Sequence, residues 1–123
     1  MPQNRRLDSG FRKLIAWQEA KALTLAIYRC TKTFPKEELF GMISQMRRAA
    51  CSVMANIAEG SGMPTKVHRN SYFQRARGSV AEMDNFIELA LVLQFLTPTD
   101  ATRLIDHCAR TSYLLTRMIQ SNM

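Results

Sequence analysis

The sequence predicts an all-α protein: an antiparallel, up-down-up-down four-helix bundle that assembles as a homo-oligomer. Three observations point there. Apolar residues recur every three or four positions in four separate segments. No segment alternates with the two-residue period of a half-buried strand. Short joints carrying Pro, Gly and Thr part the segments, and helices on short joints favour antiparallel neighbours. The 123 residues suit one domain with a single core, and an apolar fraction of 46% separates the chain from disordered compositions.

The first helix is expected over about 12–33, where Leu14, Trp17, Ala20, Leu23, Ile27 and Cys30 share one face. Pro35 marks the next start, with Glu37 and Glu38 in the first turn, where the positive helix end favours carboxylates. A second helix is expected over about 36–60. Its core face carries Leu39, Ile43, Met46, Ala50, Val53 and Ile57, and Gly60, Gly62 and Pro64 end it. The third, over about 66–96, repeats through Phe73, Ala76, Val80, Met83, Ile87 and Ala90. Thr97 as N-cap, Pro98 as first helical residue and Asp100 as capping-box acid open a fourth, over about 98–121. Leu104, Cys108, Leu115 and Ile119 are its core positions. Residues 1–10 are expected as a flexible N-terminal segment, with 11–121 as the single domain.

Seventeen Lys and Arg against ten Asp and Glu leave a net charge of +7. That balance favours polyanions such as nucleic acid. Arginine supplies most of it, and its planar fork suits bidentate phosphate contacts. Cys30, Cys51 and Cys108 are odd in number, widely spaced and set in apolar helical patterns, so they are expected as reduced core thiols of a cytoplasmic protein. The opening MPQNRRLDSGFRK lacks the apolar segment of a secretory signal. No apolar run approaches the ~20 residues that span a bilayer, so no membrane partner is expected.

Around the second helix the apolar arc covers about 200°, against the ~100° stripe of an ordinary surface helix. The third helix reads IELALVLQFL from Ile87 to Leu96, apolar nearly all round. A lone bundle leaves every helix an outer face, so this surplus predicts self-association. The polar stripe on the second helix is Gln45, Arg48, Ser52, Asn56 and Glu59, flanked by Ala49, Ala50, Ala55 and Ala58, which are small enough for close helix approach. Gln45, Ser52, Asn56, Glu59, Ser79 and Glu82 are candidates for a polar network that orients helices or subunits. A solvated stripe is the plain alternative.

If the second and third helices pivot near Gly62, residue numbers at equal height total about 125, which sets Arg48 level with Arg77 and Ala50 with Arg75. Arg47, Arg48, Arg75 and Arg77 would then share one height. Lys66, His68 and Arg69 put positive charge on the first turn of the third helix, the end where cations are disfavoured. No Asp or Glu occurs between Glu59 and Glu82. Arg47, Arg48, Lys66, Arg69, Arg75 and Arg77 are therefore the candidate phosphate contacts of an RNA or DNA partner. A protein client with an acidic surface, or Glu82, Asp84 and Glu88 of a neighbouring subunit, fits the same segment; an internal pair with Glu82 is a third option. Tyr72 lies among the cations but Phe73 falls on the core stripe, which argues for contact with backbone or duplex shape over base stacking.

Catalysis, metals and cofactors are not expected. His68 and His107 are the only histidines, and His107 and Cys108, adjacent on a helix, point about 100° apart. No Cys-x-x-Cys, His-Glu-x-x-His or phosphate-loop motif occurs, and GSG at 60–62 follows a helix rather than a strand. Glu59 and Glu82 could form a carboxylate pair, but the pattern implies no pocket for them.

A spaced string of residues carries a resemblance. It comprises Phe34-Pro35, Glu38, Phe40-Gly41, Gln45, Arg47-Arg48-Ala49, Ser52, Asn56-Ile57-Ala58-Glu59-Gly60, Ala76-Arg77-Gly78-Ser79 and Glu82, with Trp17 and Tyr28 also fitting. From about Phe11 to Ile119 the chain resembles the bacterial 23S rRNA intervening-sequence proteins, also called the S23 ribosomal protein family. The resemblance implies a small antiparallel four-helix bundle that forms a homopentamer, encoded in some members within insertions of 23S rRNA genes. By fold and charge the chain is also similar to the basic pentameric accessory protein of diversity-generating retroelements, which binds nucleic acid and a reverse transcriptase. It departs from the family pattern at Met63, where members often have arginine, and at Gln74 and Arg75, where they often have apolar residues.

Overall fold

A computed structural model describes residues 10–122. Residues 1–9 of the expected flexible segment lie outside them. Gly10–Lys13 forms a 3-10 turn, and extended Leu14 leads into α1 (Ile15–Thr31). A 3-10 turn (Lys36–Glu38) and a π turn (Leu39–Ile43) precede α2 (Ser44–Ser61). Next come α3 (Lys66–Val92) and α4 (Pro98–Ser121). Among the described residues the fold is all-α, with four α-helices and no strand. Each helix packs on its neighbours in sequence, and α1 also packs on α4.

The core is the apolar face of each helix. Leu23, Ile27, Met46, Val53, Ile57, Met83, Ile87, Leu104 and Leu115 are sealed from solvent, and burying each such side chain is worth about 1.5–3 kcal/mol. Phe34 and Phe95, with centroids 5.5 Å apart, close one end of the bundle. Thr24, Thr31 and Thr111 are the buried polar residues, and each donates its hydroxyl to a carbonyl one turn back on its own helix, that of Ala20, Ile27 and His107. Buried polar groups satisfied this way cost little.

The first helix, expected over about 12–33, is Ile15–Thr31, because Leu14 is extended after the 3-10 turn; three further boundaries also differ from expectation, each for a local reason. The second helix is not continuous from residue 36: Gly41 (φ −106, ψ −108) leaves the helical region, and the ladder widens around it while the Glu38 side chain accepts from the Met42 N–H at 3.3 Å. That turn swings Leu39, assigned to the core stripe, half into solvent and leaves Phe40 92% exposed. Nor does the third helix run to Leu96. Gln94 adopts φ +64, the Phe95 N–H donates to the Ala90 carbonyl at 2.9 Å and the Gln94 N–H to Leu91 at 3.0 Å. This is a Schellman ending built without glycine. Left-handed torsions cost a non-glycine residue about 1–2 kcal/mol, a cost offset where the turn drives Phe95 onto Phe34 and buries Leu96. Finally, α2 continues through Gly60 rather than stopping there.

Gly60 and Gly78 are both helical glycines with opposite surroundings. A Cβ on Gly60 would lie 2.8 Å from the Tyr72 Cβ and from the Phe73 ring; one on Gly78 would meet nothing within 4 Å. Gly60→Ala is expected to destabilise the fold by about 1–3 kcal/mol. Gly78→Ala is expected to stabilise it by up to about 1 kcal/mol, the helix-propensity gain. Urea midpoints of the two variants moving in the same direction would contradict this packing.

Candidate nucleic-acid interface

Arginine placement follows from how α2 and α3 seat on each other. Ser52 Oγ lies 2.9 Å from Ser79 Oγ, and the Gly60 backbone abuts Tyr72 and Phe73. Relative to the expected register, α3 is displaced by about six residues, or roughly 9 Å at 1.5 Å per residue. The expectation that Arg47, Arg48, Arg75 and Arg77 share one height is therefore corrected. The displacement has a physical source: α2 carries on past Gly60, and the joint at Gly62 to Thr65 places the pivot later in the chain.

The six candidate cations divide into bound and free. Arg47 is half-buried; its Nε donates to Thr31 Oγ1 at 3.0 Å, and its guanidinium covers the Tyr28 ring at 4.6 Å. Hydrogen bonds from a charged group are worth about 1.5–3 kcal/mol, so Arg47 acts first as a clamp between α1 and α2. Arg69 donates to the Met63 carbonyl at 3.0 Å and pins the joint before α3. Arg77 is half-buried in a groove between α3 and α4 that Asp84 also lines. Arg48, Lys66 and Arg75 are exposed, and Arg75 lies 4.8 Å over the Tyr72 ring. On α3, Lys66 and Arg75 are about 180° apart in azimuth at 100° per residue, so the free cations do not form one patch.

The polar candidates divide as well. Asn56 Nδ2 donates to the Ser52 carbonyl at 2.9 Å and to Ser52 Oγ at 3.1 Å, so Asn56, Ser52 and Ser79 form one linked cluster across the α2–α3 contact. Gln45, Glu59 and Glu82 make no side-chain hydrogen bond among the described residues, and Glu59 and Glu82 are exposed.

A second cluster, absent from the sequence reading, joins α1 to α4. Glu19 Oε1 accepts from Arg110 Nε at 3.0 Å and lies 2.8 Å from His107 Nδ1. Burial pushes the Glu19 carboxyl up, but hydrogen bonds from His107 and Arg110, together with their charges, outweigh it and hold the group below its ordinary value. The cysteines are free, and the expectation of three core thiols is corrected. Cys108 is buried, and burial with Asp84 nearby pushes it up to about 12. Cys30 is half-buried and raised, by burial first. Cys51 is exposed because the α2 turn bearing it faces outward, 3.6 Å from the Tyr28 hydroxyl, and that hydrogen bond raises the tyrosine.

Phe40, Tyr28 and Cys51 surround Arg48, and sequence reasoning passed over all three as a site. Phe40 sits just before the Gly41 turn, where the chain leaves helical torsions, and is exposed there. Other aromatic–cation pairs were readable from their spacing of three or four, such as Tyr72 with Arg75 and Tyr113 with Arg117, 6.0 Å apart. Among the described residues, no group of three or more His, Cys, Asp or Glu side chains is placed to hold a metal ion, and no helix is long and apolar enough to cross a membrane.

The model of the 23S rRNA-intervening sequence protein family matches residues 12–117. The chain belongs to that family. None of the curated proteins matches it. In this 23S rRNA-intervening sequence protein, the matched region takes in all four helices up to the last turn of α4, and with them every candidate residue.

Glu19 also sets a pH dependence. With its folded-state value depressed, its contribution is fully present above the ordinary 4.5 and is lost as pH falls through the lower folded value. Glu19→Gln is expected to be less stable than the wild type near neutral pH, by about 1–3 kcal/mol for lost charged hydrogen bonds. The gap should close in acid. An equal deficit in urea titrations at both pH values would assign the loss to packing instead.

Proposed function

We propose that this protein is a non-catalytic, homo-oligomeric bundle that acts in the cytoplasm and binds nucleic acid, RNA above all, through exposed arginine and lysine. The family name is consistent with an RNA-related role. One observation carries the reading. From Gly60 to Ala81 the chain has Lys66, Arg69, Arg75 and Arg77 and no carboxylate. Among the described residues, the ion pairs are those of Glu19 alone, so no cation of this segment is held in an internal ion pair. The exposed cations of such a segment favour a polyanion, and each phosphate neutralised releases counterions.

The up-down-up-down order is supported by Ser52 opposite Ser79, by the Asn70 amide donating to the Ile119 carbonyl at 3.4 Å, and by the short joints. Homo-oligomer formation is supported by an exposed strip on α3, where Glu82, Asn85, Glu88, Leu89 and Val92 follow one another at helical spacing. Its acid and apolar character complements the groove between α1 and α4, which Leu25, Arg29 and Arg103 line. Two different patches meeting head to tail close into a ring when the rotation allows, and a ring of five is what the family resemblance implies. That basic groove also favours a second reading: a scaffold or accessory subunit, for example of a reverse transcriptase, whose arginines pair with an acidic client.

Two measurements test the proposal. Nucleic-acid affinity should fall linearly in a log–log plot against salt, and Lys66→Ala with Arg75→Ala should flatten the slope by about two. Unchanged slope and affinity in the double variant would leave the scaffold reading. Leu89→Glu with Val92→Glu, both at exposed positions, should convert the assembly to single chains in sedimentation while helix content stays constant. A particle of unaltered size would remove the α3 strip from the interface.

A further inference from the structure

At the end of the bundle closed by Phe34 and Phe95, the π turn presents an aromatic ring to solvent. Phe40 is 92% exposed, yet its backbone is not loose. The Glu38 carboxylate holds the Met42 N–H, and Met42 and Ile43, just beyond, are buried in the core. The backbone turn that carries the ring is thus anchored. It borders a groove of about 420 Å³ lined by Tyr28, Leu39, Phe40, Ile43, Arg47 and Arg48, with Ser44 and Cys51 completing the wall. No carboxylate lines this groove, whereas Asp100 lines the one between α1 and α4 and Asp84 the one between α3 and α4. Arg47 is fixed by Thr31 and the Tyr28 ring. Arg48 is exposed and makes no ion pair or side-chain hydrogen bond among the described residues.

An exposed aromatic face beside one fixed and one free guanidinium, in a groove that no carboxylate lines, fits a ligand that is both flat and anionic. Single-stranded nucleic acid joins those properties in every unit: a base offers a π face to stack, and the adjoining phosphate takes the cation. A duplex offers the phosphates but keeps its base faces inside its own stack. We infer that the Phe40 groove is a binding site for a single strand, with a base stacked on Phe40 and the neighbouring phosphate held by Arg48. This rests on the nucleic-acid reading above and sharpens it: the expectation of backbone or duplex-shape contact came from Tyr72 and Phe73, whose rings are half-buried and buried, while Phe40, at 92%, is more exposed than Tyr113 at 60% or Tyr28 at 38%.

The test uses the full chain and two end-labelled RNA probes, an oligouridine about twelve nucleotides long, within the size range of single-strand sites, and a duplex of equal length. Fluorescence anisotropy should show preference for the single strand. Phe40→Ala should weaken that binding by about tenfold or more, the scale at which stacking residues act, while duplex binding stays level and Phe40→Trp restores affinity. In a Trp17→Phe background, the indole of the Phe40→Trp variant should be quenched by the oligouridine. A wild type that binds neither probe overturns the nucleic-acid reading and this site with it. A wild type that binds both probes alike, with Phe40→Ala unchanged, overturns the stacking site and leaves the broader reading standing. Sedimentation of Phe40→Ala as a smaller particle than the wild type assigns the groove to contact between copies, which also overturns the single-strand site.

Discussion

The close approach of α2 to α3 is the constraint on which the remaining geometry depends. Gly60 has no Cβ, so the Phe73 ring and the Tyr72 stem press directly on the α2 backbone, and the Ser52–Ser79 contact fixes how far one helix is drawn past the other. A glycine contact that admits no side chain tolerates little sliding, because protein interiors are packed to crystal-like density. Once that register is set, the height of every arginine on either helix is set. The cations then fall at several heights and azimuths instead of one.

Helix geometry also separates arginines that look alike in sequence. Arg47 and Arg48 are adjacent, about 100° apart on the helix, and this angle gives them unlike tasks. One turns inward to Thr31 and Tyr28 and holds two helices together; the other turns to solvent. A charged group with its hydrogen bonds already made inside the fold gives up those bonds to reach a ligand, so surface charge counted from composition overstates what is free to bind. The acid side has the same division: Glu19 is spent on His107 and Arg110, while Glu82 and Glu88 remain exposed.

Helix number, helix type and most of the core were legible from periodicity, since Phe73, Ala76, Val80, Met83, Ile87 and Ala90 are all buried along α3, and the Thr97 side chain caps α4 through the Asp100 N–H. Two features were not. The Gly41 turn breaks a pattern whose spacing looks continuous, because spacing reports which residues are apolar and not where the backbone departs from helical torsions. The α3 ending at Gln94 carries no glycine or asparagine to announce it; tertiary packing of Phe95 on Phe34 decides it. The candidate site suffered from the first and from a misplaced α2–α3 pivot. Exposure of Phe40 follows from the first, and the true heights of the arginines follow from a pivot that Gly62 alone does not locate.

The Phe34–Phe95 stack has a mechanical consequence. It fastens the joint after α1, which carries Phe34, to the joint after α3, which carries Phe95, so two non-helical stretches far apart in sequence are held together through their side chains. The Gly41 turn follows Phe34 closely in the chain, so the segment that presents Phe40 to solvent is tethered next to that aromatic contact.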